Sequence, residues 1–170
     1  MNWPNKTERE ELEIAGFIEA YVRLPENQQL EVLSKGEKPD FVVRDKKNNG
    51  EYGVELTSVY LDDRSVPDVH MKDEERIVEI PYNEDEVEKY MKGLVGAVID
   101  KVCKARKGYD SSRPLILAIY VNEYISIYLG KSELEELVLR YEGVFDAMVP
   151  FKEVVFWNLG HGGAFRVTPS

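Results

Sequence analysis

Apolar positions recur along the chain with two different periods, and the changes of period divide it into elements. Ile14, Phe17, Ile18, Tyr21 and Val22 fall on one face at helical spacing, which predicts a first helix from Thr7 to about Val22. Pro4 suits an early helical position, and the acidic residues after it suit the helix dipole. Leu24-Pro25-Glu26-Asn27 ends that helix. The period then shortens. "LEVLS" (30–34) reads as a strand and Gly36 as the start of a turn. Phe41 to Val43 reads as a second strand and Tyr52 to Tyr60 as a third, with Asn49-Gly50 as the hairpin signal between them. The polar stretch "LDDRSVPDVHMKDEER" follows, with a short strand expected at 77–80. Val87, Tyr90, Met91, Leu94, Val95, Val98 and Val102 then form a stripe that predicts a helix from Glu84 to about Arg106, with Asn83 as its N-cap. Pro114 to Val121 reads as a buried strand. Ser132 with Glu135 matches a capping box opening a helix to about Phe145. Val154 to Asn158 and Phe165 to Val167 close the chain as strands around the loop "GHGG".

This order predicts an α/β chain of the α+β type. A mixed central sheet is flanked by helices, in the order α-β-β-β-α-β followed by α-β-β. The 170 residues suit one domain spanning 1–170, without repeat or linker. No apolar run approaches the roughly 20 residues of a membrane span, and "MNWPNKTERE" has no apolar core of the signal-peptide kind. The expectation is a cytoplasmic protein without a membrane partner.

Charge narrows the picture. A net charge of −10 argues against a surface that coats nucleic acid broadly. It leaves room for an acidic metal site served by local cations. "DKVCKARKGYDSSR" (100–113) holds such cations, which either form a phosphate-binding patch or complement the negative end of a helix. Cys103 is the single cysteine, which excludes an internal disulfide and a multi-cysteine zinc site. His70 and His161 are isolated and give weak grounds for a metal site.

The candidate chemistry lies in "KPDFVVRDKKNNGEYGVELTSVY" (38–60). Strand alternation puts Glu55 and Thr57 on one face, and Tyr52, Val54 and Leu56 on the other. A carboxylate within an apolar strand is costly to bury without a partner. Asp40 lies at the mouth of the neighbouring strand, and a hairpin would bring it close to Glu55. Two neighbouring carboxylates repel, and a divalent cation is the simplest way to hold both ionised.

Pro39-Asp40, followed by Glu55-Leu56-Thr57, resembles the core motif of the PD-(D/E)xK nuclease superfamily, whose fold is restriction-endonuclease-like. The order of elements over residues 7–122 is similar too. The resemblance implies a metal-dependent nuclease acting on DNA or RNA. It implies Mg2+ or Mn2+ held by Asp40, Glu55, the Leu56 carbonyl and a glutamate of the first helix. On a helical wheel Glu11 lies between Ile18 and Val22 on the apolar face and is preferred. Glu10, near Phe17 and Tyr21, is second, and Glu8, Glu13 and Glu19 point further away.

The chain departs from the pattern at Thr57, where the superfamily has a lysine that orients water and offsets phosphate charge. Three explanations stand side by side. The lysine has moved to the second helix, where Lys101 lies at the edge of the buried stripe and Lys104 is intermediate. Alternatively, Thr57 hydrogen-bonds the attacking water in a site that relies on metal alone. Or the site is inactive, and the chain is a nuclease-like scaffold for a protein or regulatory partner. Base selection falls to the segment 61–83 and the glycine loop 160–163. A homodimer is compatible with the superfamily. A second Pro-Asp pair, Pro67-Asp68 with Glu79, puts Pro81 at the lysine position and is set aside.

Overall fold

The computed structural model describes residues 4–59 and 84–169. The strand expected at 77–80, the Asn83 cap, His70 and the Pro67-Asp68 pair lie outside them.

The first helix, α1 (Lys6–Tyr21), opens with a complete capping box. Asn5 accepts from the Glu8 amide and Glu8 accepts from the Asn5 amide, each at 2.9 Å. Pro4 therefore precedes the cap and does not occupy the first turn. Ile14, Phe17, Ala20 and Tyr21 are the buried face. Three strands follow, β1 (Leu30–Lys35), β2 (Phe41–Asp45) and β3 (Glu51–Val59). At the β2–β3 turn Asn49 adopts φ +60, the left-handed conformation that an Asn-Gly turn calls for. The long helix α2 (Glu84–Gly108) then crosses to β4 (Leu115–Val121).

After β4 a short helix, α3 (Glu123–Ser126), precedes the expected one, which is divided into α4 (Lys131–Arg140) and α5 (Glu142–Asp146). The Ser132–Glu135 capping box does not form. Gly130 is the cap, and Glu133 reaches back to its amide at 2.9 Å. Helix α4 stops at Arg140, and Tyr141 leaves helical geometry before α5 begins. Strands β5 (Phe151–Leu159) and β6 (Gly163–Val167) close the chain across a short 3-10 turn at Gly160–Gly162.

The fold is α+β: a six-stranded mixed sheet flanked by helices, with strand order β1-β2-β3-β4-β5-β6. The β1–β2, β2–β3 and β5–β6 pairs are antiparallel, and β3–β4 and β4–β5 are parallel. Each parallel step needs a crossover, and two right-handed crossovers in the same direction place their helices on one face. Accordingly α2, α4 and α5 share a core with Leu115, Leu117 and Ile119 of β4 and Phe156 of β5. Helix α1 covers the opposite face through Phe41, Val54, Ile116, Ala118 and Trp157. Strand β4 is covered on both faces, which explains its unbroken apolar run. Gly16 lets α1 lie close to β5, since a Cβ there would meet the Trp157 ring at 2.8 Å.

At the far end of α1, Glu153 is buried and accepts from the Tyr21 hydroxyl at 2.5 Å. Arg166 Nε lies 2.8 Å from its other oxygen. This pair ties α1 to β5 and β6. Among the described residues no helix is long and apolar enough to cross a membrane.

Candidate active site

The site begins where β2 ends. The β2–β3 ladder runs from Arg44↔Glu51 to Phe41↔Val54 and stops. Beyond it the β3 edge has lost its strand partner, and a side chain takes over: the Leu56 amide donates to Asp40 Oδ2 at 2.8 Å. A strand residue turns its N–H and C=O toward the same neighbour, so the Leu56 carbonyl faces this edge too. Pro39 fixes the approach. It packs on Gly53, where a Cβ would stand 2.6 Å from its ring. The Pro-Asp pair thus has a steric counterpart on β3 that only glycine supplies.

Glu55 points to the other face, toward α2, and is 3% exposed. Its two oxygens are treated differently. Lys101 Nζ and the Tyr109 hydroxyl both donate to Oε1, each at 2.8 Å. Oε2 is buried and has no hydrogen-bond partner. Lys101 is brought there by α2, whose buried Val98 and Val102 seat that stretch of helix on the sheet. Tyr109 follows the end of the same helix.

Around this edge lies a cleft of about 390 Å³ lined by α1, β3 and α2 together with Glu37 and Asp40. It brings together Asp40, Glu55, Leu56, Thr57 and Lys101. From α1 it takes Glu10 and Glu13, and not Glu11, which is exposed and outside the cleft. The reason is the position of the stripe. Ile18 and Val22, which flank Glu11 on the wheel, do not mark the buried face: Ile18 is only half-buried and Val22 lies beyond the helix. The buried face runs through Ile14, Phe17, Ala20 and Tyr21, and about 100° per residue puts Glu10 and Glu13 on it. Glu10 is held by Lys35 at 2.8 Å and Lys6 at 3.6 Å. Glu13 accepts from the Ser58 hydroxyl at 3.4 Å.

Lys104 is exposed, pairs with Asp100 at 3.0 Å and stays outside the cleft. The basic stretch 100–113 forms no common patch. Arg106 donates to the carbonyls of Ala147 and Val149, and Arg113 pairs with Glu51. The glycine loop does not line the cleft; Gly162 lies against Arg23.

Electrostatics follow from this crowding. Burial, then repulsion from Glu55, pushes the Asp40 carboxyl up to about 7, against the pull of the Leu56 amide and Lys101. Burial also raises Glu13, opposed by Ser58 and Arg9. Tyr109 is raised by burial and by its bond to the Glu55 carboxylate, so it donates as a neutral phenol.

The residues present fit a divalent cation at Asp40 and Glu55. The unpartnered Glu55 Oε2 is a buried anionic acceptor, and Asp40 gains by any nearby positive charge. Among the described residues no group of three or more His, Cys, Asp or Glu side chains is placed to share one ion. An ion here would be held by two carboxylates and completed by main-chain and water oxygens, the style of site that Mg2+ favours.

Arg9, Ser58 and Tyr109 were missed in the sequence, and Glu13, expected to point away, lines the cleft. Glu13 was recoverable from its helical spacing to Glu10, whereas Tyr109 gave no signal, because the end of a helix does not reveal which strand it faces. Compared with protein-family models, with curated proteins and with solved structures, the chain matches none, so its chemistry is read from the cleft.

Proposed function

We propose that this chain is a nuclease with a restriction-endonuclease-like core, hydrolysing phosphodiester bonds of DNA or RNA with Mg2+ or Mn2+. The observation that carries the proposal is the divided environment of Glu55. One oxygen is saturated by Lys101 and Tyr109, and the other is buried without a partner, in a side chain that lines the same cleft as Asp40. The order α1, three antiparallel-paired strands, α2 and a parallel β4 supports the same reading.

Asp40, Glu55 and the Leu56 carbonyl would hold the ion. Bound there, it would acidify a water and neutralise phosphate charge. The protein's own groups supply the rest. Lys101 brings a positive charge to the cleft from α2, so Thr57 need not provide one on β3. Its ammonium offsets charge that develops on the phosphate in the transition state. Thr57 shares the Glu55 face and the cleft, where its hydroxyl can hydrogen-bond the attacking water. Tyr109 and Lys101 together fix the Glu55 carboxylate so that Oε2 faces the ligand.

One observation favours a second reading. Lys101 already pairs with Glu55, so that carboxylate has a counter-charge without a metal. In that reading the ammonium stands in for a metal, and the fold serves as a scaffold for a protein partner. Cleavage assays on plasmid DNA, linear DNA and RNA with Mn2+ separate the two. The nuclease reading expects cleavage that EDTA stops and that Asp40→Asn and Glu55→Gln each abolish. Cleavage that persists in both variants, or none on any substrate, rejects it.

A further inference from the structure

The cleft contains a second buried polar atom that this chemistry does not use. Arg9 Nε is shut off from solvent and has no hydrogen-bond partner. Arg9 sits on α1 next to Glu10 and lines the same cleft as Asp40, Glu55 and Lys101. The other cations of the cleft are committed, Lys101 to Glu55 and Lys6 to Glu10, and Glu10 is also held by Lys35 from outside the lining. Among the described residues no carboxylate comes within ion-pair distance of Arg9. Glu13, one turn on, takes its hydrogen bond from Ser58 instead.

The cleft therefore holds two orphans of opposite demand. Glu55 Oε2 lacks a donor or cation, and Arg9 Nε lacks an acceptor. A lone cation answers only the first of them, and a lone anion only the second. A ligand that sets a phosphate oxygen beside a metal ion answers both, and a guanidinium is the side chain that best matches phosphate geometry. We propose that Arg9 is a phosphate-binding residue, holding a non-bridging oxygen of a nucleic-acid strand laid along the N-terminal half of α1. The identity of that anion rests on the nuclease reading above. Five carboxylates line the same cleft, Glu10, Glu13, Glu37, Asp40 and Glu55. They repel a polyanion, so attraction on this wall is concentrated at Arg9. Losing it then costs more than losing one surface charge among many.

The test is fluorescence anisotropy with a short labelled DNA oligonucleotide, single-stranded and as a duplex. Ca2+ replaces Mg2+ so that the strand is held and not cut. Arg9→Gln is expected to weaken binding about tenfold and to lower the slope of log affinity against log salt by about 0.9, one phosphate contact. Arg9→Lys, which keeps the charge and loses the fork, recovers part of the affinity and decides the matter if Arg9→Gln does not fold. Lys104→Gln, an equal loss of charge outside the cleft, leaves affinity unchanged. Equal weakening by Arg9→Gln and Lys104→Gln overturns the proposal. So does wild-type protein that binds orthophosphate but no oligonucleotide. Calorimetry with Mn2+ alone reports separately on the nuclease reading: wild-type Mn2+ binding together with oligonucleotide affinity unaffected by Arg9→Gln removes Arg9 and leaves the metal site standing.

Discussion

Asp40 is the residue on which acid–base behaviour turns. Its carboxyl ionises near 3.8 in an unfolded chain and is pushed up to about 7 in the fold by burial and by Glu55. Between those values the native state keeps a proton that the unfolded state has lost. Stability therefore falls as pH rises through this window and levels off above it. Urea unfolding midpoints in EDTA, from about pH 4 to pH 8, should show that fall in the wild type and a flatter profile in Asp40→Asn. Parallel profiles for the two proteins would contradict the assignment. Lys101 gives a second prediction. Lys101→Met leaves a buried Glu55 carboxylate with Tyr109 as its remaining donor, so stability in EDTA should drop by a few kcal/mol, about 3 as an upper figure for a pair that is partly exposed. Mn2+ should bind this variant more tightly than wild type, because a competing cation has gone, while cleavage falls. Loss of metal binding in Lys101→Met would contradict that split. The residues behind both predictions were unequally legible. Asp40 and Glu55 stood out because a carboxylate set in or at the mouth of an apolar strand demands a partner, and Lys101 because the resemblance implies a lysine that Thr57 does not supply and the helical wheel puts Lys101 at the edge of the buried stripe. Glu11 was misplaced because the wheel was centred on Ile18 and Val22, and burial centres it on Phe17 and Tyr21.

Two glycines show how elements position the site. A Cβ on Gly53 would meet Pro39 and Leu115 at 2.6 Å, and a Cβ on Gly16 would meet Trp157 at 2.8 Å. Replacing glycine by alanine inside a helix ordinarily stabilises it by about 0.4–1 kcal/mol. At Gly16 the clash should reverse that sign, costing about 1–3 kcal/mol, with Mn2+ affinity unchanged. Gly53→Ala should cost a similar amount and also weaken Mn2+ binding, because Pro39 cannot shift without carrying Asp40 off the β3 edge. Thermal melting and Mn2+ titration of both variants check this, and equal metal affinity in the two would count against Pro39 as the anchor. The strands and long helices themselves were legible from period alone, apart from their end residues. The break at Tyr141 was not, since the helix start turns on Glu133 reaching Gly130 and not on the Ser132–Glu135 match.

On the scale of the whole molecule, a six-stranded sheet separates two layers, and both reach the cleft around the edge of β3 beyond the end of β2. Helix α1 delivers Glu10, Glu13 and Arg9 from one side, and α2 and the residue just after it deliver Lys101 and Tyr109 from the other. That meeting could not be read from the chain, because no local pattern states where one strand ends beside the next. The mixed sheet and its flanking helices could, because a hairpin meander followed by helix-linked apolar strands admits few other arrangements. The other buried carboxylates have both oxygens answered: Asp45 accepts from the Gln28 side chain and the Lys47 amide, and Glu153 accepts from the Tyr21 hydroxyl and pairs with the Arg166 guanidinium at 2.8 Å, whereas Glu55 is left with a bare oxygen. That contrast within one molecule is the strongest reason to read the cleft as a ligand site. The direct test is calorimetric titration of Mn2+ into the wild-type protein, Asp40→Asn and Glu55→Gln. Binding by the wild type that is lost in both variants is the result expected. No binding by the wild type, or binding that survives in both variants, would contradict the account.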